Sequence, residues 1–114
     1  MESIYIAGTC DTKNEELMYL KQKIMENKVE VKLIDVSTTI NKNNADISNV
    51  EIAKSIPDGN NLIFKEKNRS VAIENMSEAL RTYILNLNDL GGLVGIGGSG
   101  GTSLITPSMQ ELQI

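Results

Sequence analysis

Apolar residues are spaced along the chain in two ways, and the spacing predicts most of the elements. Ile4-Tyr5-Ile6-Ala7 is a short, largely β-branched run that stops at Gly8, the pattern of a buried strand. Thr12-Lys13-Asn14-Glu15 then has capping-box spacing, with Thr12 as N-cap and Glu15 reaching back to it. Leu17, Leu20 and Ile24 follow at helical steps, with Met25 at the margin, so a helix is expected to about Asn27. Val29–Val36 alternates and then turns apolar, which suits a second strand. Ala72, Met76, Ala79, Leu80, Tyr83, Ile84 and Leu87 fall on one face of a helix over Lys67–Leu87, the clearest periodic segment of the chain. Leu93-Val94-Gly95-Ile96 is the third strand. Ser103–Leu112 reads as an amphipathic helix weakened by Pro107.

Between Ser37 and Glu66 the pattern is weak. Ser37–Asp46 is polar and reads as a loop. Ser48-Asn49-Val50-Glu51 matches a second capping box and opens a short helix, and Pro57-Asp58-Gly59 signals a turn. The whole stretch, about 37–66, is expected to be a solvated insertion on the surface. Strands alternating with helices imply an α/β fold, a parallel sheet of about three strands covered by helices on both faces. In the order 2-1-3 the first and third strands are neighbours. Three strands leave two sheet edges open, so residues 1–114 are expected to form the N-terminal part of a subdomain, with the rest of it missing.

Composition narrows the chemistry. The net charge of −4, without a basic cluster, argues against nucleic acid as partner. No stretch is long and apolar enough for a membrane span, and no positively charged leader precedes the first strand. The single cysteine, Cys10, excludes an internal disulfide and fits a reducing, cytoplasmic setting; it reads as a buried bystander rather than a reactive thiol. The chain has no histidine, which removes the usual general base and the commonest zinc ligand, and no metal ligand set is expected.

Seven of the eleven residues from Gly91 to Gly101 are glycine, against two in the rest of the chain. A strand, then Gly97-Gly98-Ser99-Gly100-Gly101-Thr102, then a helix start is a suitable cradle for phosphate. Glycines let backbone N–H groups converge on an anion, and Ser99 and Thr102 add hydroxyls. The competing explanation is a glycine-rich turn that lets a helix pack closely on the sheet. Gly95–Gly100 satisfies G-x-G-x-x-G, but Gly95 lies inside the strand; a P-loop is excluded because no G-K-[ST] follows. Gly97–Gly101 also matches the G-x-S-x-G nucleophile elbow, yet Ser99 has no histidine to serve as base.

Ligands of open parallel sheets sit beyond the carboxyl ends of the strands, where strand order reverses. There the loop Gly8-Thr9-Cys10-Asp11-Thr12-Lys13 would face the glycine loop. Gly8 permits close approach, Thr9 and Thr12 offer hydroxyls, Lys13 offers charge, and Asp11 can reach Mg²⁺ through water. Equally, Asp11 and Thr12 cap the helix and Lys13 points into solvent. Asp35, near the end of the second strand, stands where dinucleotide folds place a ribose-binding acid, although strand ends often carry Asp for turn reasons.

The segments YIAGTCDTKNEELMYLK and GGLVGIGGSGGTSLITPSMQEL, with LIDVST and ADISNVEIA between them, resemble the Tm-one-like ATP-binding domain family along the whole chain. The resemblance implies a Rossmann-like α/β fold, a protein of several hundred residues that is often dimeric, and ATP with Mg²⁺ as ligand. It places Gly8, Thr9, Asp11, Thr12 and Lys13, with Gly97, Gly98, Ser99, Gly100, Gly101 and Thr102, near the site. Where the family continues with Leu-Pro-Ile-Gly, this sequence has Leu112-Gln113-Ile114. The expected function is therefore nucleotide binding by the first part of a larger protein, which forms a homodimer or needs its missing part. The alternatives are a portion of a hydrolase or ligase whose catalytic groups lie in that part, and a non-catalytic interaction fragment.

Overall fold

A computed structural model describes residues 3–40 and 44–96, without the side chains of Asp11, Thr12 and Ile96. The elements are β1 (Ser3–Gly8), α1 (Cys10–Met25), β2 (Val31–Asp35), α2 (Asn49–Ala53), α3 (Gly59–Phe64), α4 (Arg69–Leu85) and β3 (Leu90–Ile96). The strands form an all-parallel sheet in the order β2-β1-β3, a Rossmann-like α/β arrangement as expected. Gly97–Thr102 and the segment Ser103–Leu112 lie outside the described residues.

β1 alternates between two cores. Ile4 and Ile6 face α1, where Ile6, Cys10, Leu17, Val31 and Leu33 pack together. Tyr5 and Ala7 face the other side, where Ile34, Val36, Ile52, Ile63, Met76, Leu80 and Ile84 form the larger core. The sheet is thus the middle of three layers, and β1, covered on both faces, reads as a continuous apolar run for that reason.

The segment expected to be a solvated insertion belongs to this larger core. Ile47, Ile52, Ala53 and Ile63 are buried beneath α4 and beside β2. α2 starts as its capping box predicts: the Ser48 side chain accepts from the Glu51 N–H at 3.2 Å. α3 replaces the loop expected after Pro57. Asp58, at φ 57°, turns the chain in the left-handed region, and Gly59 then passes against the end of α2. A Cβ on Gly59 would lie 1.8 Å from the Ala53 carbonyl oxygen, so only glycine fits.

Residues 46 and 47 cover the outer edge of β2. Asp46 N–H and Ile47 N–H donate to Leu33 O at 2.9 and 3.0 Å, and Asp35 N–H donates to Ile47 O at 3.0 Å. The Asp46 carboxylate accepts from Leu33 N–H at 2.7 Å and from Lys21 Nζ at 2.8 Å. An edge strand is thereby blunted by a short bridge, a side-chain cap and an ion pair from α1.

The amino ends of the strands are fastened by Asp89. Its backbone oxygen accepts from Ser3 N–H at 2.6 Å, and its carboxylate accepts from Tyr5 OH at 2.7 Å and Lys32 Nζ at 3.2 Å. One residue therefore joins the entry to β3 with β1 and β2. The Tyr5 hydrogen bond, followed by the Lys32 contact, holds the Asp89 carboxyl below its ordinary 3.8. Burial and the adjoining carboxylate push the Tyr5 phenol up, and Asp89 raises Lys32.

Two outcomes follow. Gly59→Ala should destabilise the chain by about 1–3 kcal/mol, because the α2–α3 junction must open to admit a methyl group; chemical denaturation checks this. Asp89→Asn should lower the thermal midpoint at neutral pH. Because folding depresses the Asp89 pKa, the stabilisation is present above 3.8 and is lost as pH falls through the folded value. The gap between wild type and variant should therefore narrow below about pH 4, measured by melts over a pH series.

Candidate functional site at the carboxyl edge of the sheet

The central strand β1 ends between its two neighbours: Gly8 pairs with Asp35 on one side and with Ile96 on the other. The chain leaves β1 into α1 on one face of the sheet, whereas α4, which leads into β3, covers the opposite face. The gap between β1 and β3 is consequently a topological switch point. The first-loop candidates Gly8, Thr9, Asp11, Thr12 and Lys13 begin at this edge, and the sequence Gly97–Thr102 directly follows the last residue of β3.

Only Thr9 separates β1 from α1, so the helix begins at Cys10 rather than at Thr12. Thr9 occupies the N-cap position without a capping bond from its side chain, and its carbonyl accepts the first helical bond from Lys13 N–H at 2.8 Å. The capping-box rule failed here for a tertiary reason. The Cys10 N–H donates to the Asp35 carboxylate at 3.2 Å, so the cap comes from the end of β2, 25 residues away. Thr12 instead precedes a kink, with Lys13 at φ −119° and ψ 21°.

Asp35 is fully buried, which favours the turn reading of this strand-end acid over a ribose-binding one. Its Oδ1 also accepts from Ser37 N–H at 2.9 Å and from the Ser37 hydroxyl. Asn49, itself buried, donates from Nδ2 to Ser37 O at 2.9 Å and Thr39 O at 2.8 Å. The strand end, the helix start and the chain after β2 are therefore a single hydrogen-bonded unit. Ser37 and Asn49 carried no functional signal in the sequence: one lay in a polar loop, the other followed an N-cap.

The site offers acceptors as well as donors. Asn14 follows Cys10 by one turn of α1, and its Oδ1 is buried with no hydrogen-bond partner. Such an atom fits a group that donates a hydrogen bond. Cys10 lies buried in the core beneath α1, in keeping with a bystander role. Among the described residues no group of His, Cys, Asp and Glu could hold a metal ion, and no helix is long and apolar enough to cross a membrane.

A second concavity, about 650 Å³, lies at the amino edge and is bordered by Tyr5, Lys32, Tyr83 and Asp89. Its charged centre is the Asp89 fastening, in which phenol, ammonium and carboxylate satisfy one another. Burial also pushes Tyr83 up. Phenols and an ammonium held in their protonated forms are poor bases and nucleophiles, so this edge reads as structural.

The N-terminal domain of an uncharacterised protein family, UPF0261, matches residues 2–114. A UPF0261 protein of Mesorhizobium japonicum is 36% identical over 114 residues, and one of Rhizobium meliloti is 38% identical over the same length. Both alignments cover 100% of this chain and 29% of the relative. The tomato (Solanum lycopersicum) ToMV resistance protein Tm-1 is 34% identical over 131 residues, covering 97% of this chain and 17% of that protein. The chain thus spans less than a third of the length of these relatives, and it belongs to the UPF0261 family, to whose N-terminal domain it corresponds.

Proposed function

We propose that this chain supplies part of a nucleotide-binding edge, with ATP as the ligand and Mg²⁺ as its accompanying ion. The observation that carries the reading is the pairing of Gly8 with Ile96. It sets the start of the first loop beside the strand end that the glycine-rich sequence follows, at the switch point of a parallel sheet, the position where such folds bind nucleotides. Gly97–Thr102 would hold phosphate through backbone N–H groups, and the Thr9–Lys13 turn would supply hydroxyl and charged groups. The sequence likeness to the Tm-one-like ATP-binding domain family favours ATP over other nucleotides.

The amino edge, closed by its own ion pairs, does not compete for this role. The net charge of −4 speaks against a nucleic-acid polymer and for a small phosphate ligand. The lone buried cysteine suits a cytoplasmic protein. Because the chain spans 29% of its bacterial relatives, the remaining contacts of the ligand, any chemistry upon it and any dimer contact are assigned to the rest of the longer protein.

Millimolar Mg-ATP should raise the melting midpoint of this chain. Ligand at 100 times its Kd stabilises by about 2.7 kcal/mol, several degrees in a domain of this size. Gly100→Val should melt as cooperatively as wild type and show no shift with Mg-ATP, because a side chain there blocks the approach of phosphate to the backbone. An equal ATP shift in the folded Gly100→Val protein would overturn the reading.

A further inference from the structure

We infer that the turn after β2, Ser37–Ile40, receives the base of the nucleotide, with Ile40 as its apolar contact and Asn49 as the residue that positions the turn. The inference deepens the nucleotide-binding reading and rests on it. The turn begins at the carboxyl edge: Val36 N–H donates to Gly8 O at 2.9 Å, so the chain leaves β2 level with the end of β1. Asp35, Val36 and Ser37 are each 0% exposed, whereas Thr39 is exposed and Ile40 is 71% exposed. Accessible side chains on the β2 side of this edge thus appear only past the end of the strand, beyond the buried Asp35.

The turn is held from beneath. Asn49, 3% exposed, donates from Nδ2 to Ser37 O at 2.9 Å and to Thr39 O at 2.8 Å. A primary amide has two N–H donors, and here both are spent on carbonyls two residues apart in one turn. Asn49 is the first residue of α2, whose Ile52 and Ala53 lie in the larger core, so the clamp is anchored in the body of the fold. A single exposed isoleucine is ordinary on a protein surface. Ile40 differs because the backbone leading to it is fixed by a buried side chain, so a contact made there costs little ordering. The spacing also suits the ligand. Neighbouring strands lie about 4.8 Å apart, so the ends of β3 and β2, with β1 between them, are separated by roughly 10 Å. A nucleotide laid across the edge with its outer phosphates on the β3 side spans that distance through its ribose and brings its base to the β2 side. The face of a base is flat and largely apolar, and a branched aliphatic side chain packs against it.

The test compares Mg-ATP with inorganic triphosphate and Mg²⁺, which lacks the nucleoside, by calorimetric titration of the chain. In wild type ATP should bind at least about threefold tighter than triphosphate. Ile40→Ser should abolish that advantage and leave triphosphate within about twofold of its wild-type affinity. Asn49→Ala, in a protein that still melts cooperatively, should do the same, a change of ligand preference that a merely structural role would not produce. Equal affinities for ATP and triphosphate in wild type would overturn the inference, as would an ATP preference that survives in Ile40→Ser or in folded Asn49→Ala. Were Asn49→Ala not to fold, Ile40→Ser would decide alone, since a side chain this exposed supports no core. In each of these failures the phosphates still bind and the carboxyl edge keeps its role. Failure of both ligands to bind wild type would instead overturn the nucleotide reading, and this inference with it.

Discussion

The fold depends on β1 being the central strand, hydrogen-bonded to a parallel neighbour on each side and covered on both faces. Parallel neighbours cannot be joined by tight turns, so each connection must cross the sheet with a helix. α1 takes one face and α4 the other, which brings the carboxyl ends of β1 and β3 together without a helix between them. The alternation of Ile4 and Ile6 against Tyr5 and Ala7 sets the register, since a slip of one residue would exchange the two cores. The switch point is a consequence of this packing, and so the site is positioned by the same apolar contacts that stabilise the sheet.

Two aspartates fasten the opposite edges of that sheet, and they do so differently. Asp89 at the amino edge gathers a phenol, a hydroxyl and an ammonium, so its charge is neutralised locally by Lys32. Asp35 at the carboxyl edge gathers two backbone N–H groups and a hydroxyl, so it ties the start of α1 and the chain after β2 to the end of that strand. The partial positive charge at a helix start suits a carboxylate there. One aspartate thus joins strands to one another, and the other joins a strand to a helix.

Much of this was legible in the sequence where local and tertiary preferences agree. β1, the face of α4 through Ala72, Met76, Ala79, Leu80 and Ile84, and the Ser48 cap of α2 all follow from periodicity or capping alone. Where they disagree, the local rule lost. Thr12-Lys13-Asn14-Glu15 looks like a helix start, but a carboxylate from β2 starts α1 two residues earlier and leaves the kink where the start was expected. Asp46 closes the stretch Ser37–Asp46 that reads as polar loop, yet Asp46 and Ile47 work through their backbone as an edge cover, which composition does not reveal. α3 was hidden because GNNLIF buries only Gly59 and Ile63, too few apolar positions to show a period. At the carboxyl edge, the end of β1 at Gly8 was legible in the sequence, whereas Ser37 and Asn49 are linked to Asp35 through contacts that only the fold creates.

The glycines between Gly91 and Gly101 now divide by cause. Gly92 sits within β3 opposite Ile4, and a Cβ there would meet the Ile4 Cδ1 at 3.1 Å, so its smallness eases packing of β1 against β3. Close packing, the competing explanation for the whole cluster, therefore applies to a glycine inside the strand. Gly97, Gly98, Gly100 and Gly101 follow Ile96 in the sequence and lie outside the described residues. Glycine has an entropic cost wherever it is ordered. For these four the proposed approach of an anion to peptide N–H groups would be a demand on the backbone itself, of a kind that strand packing is not.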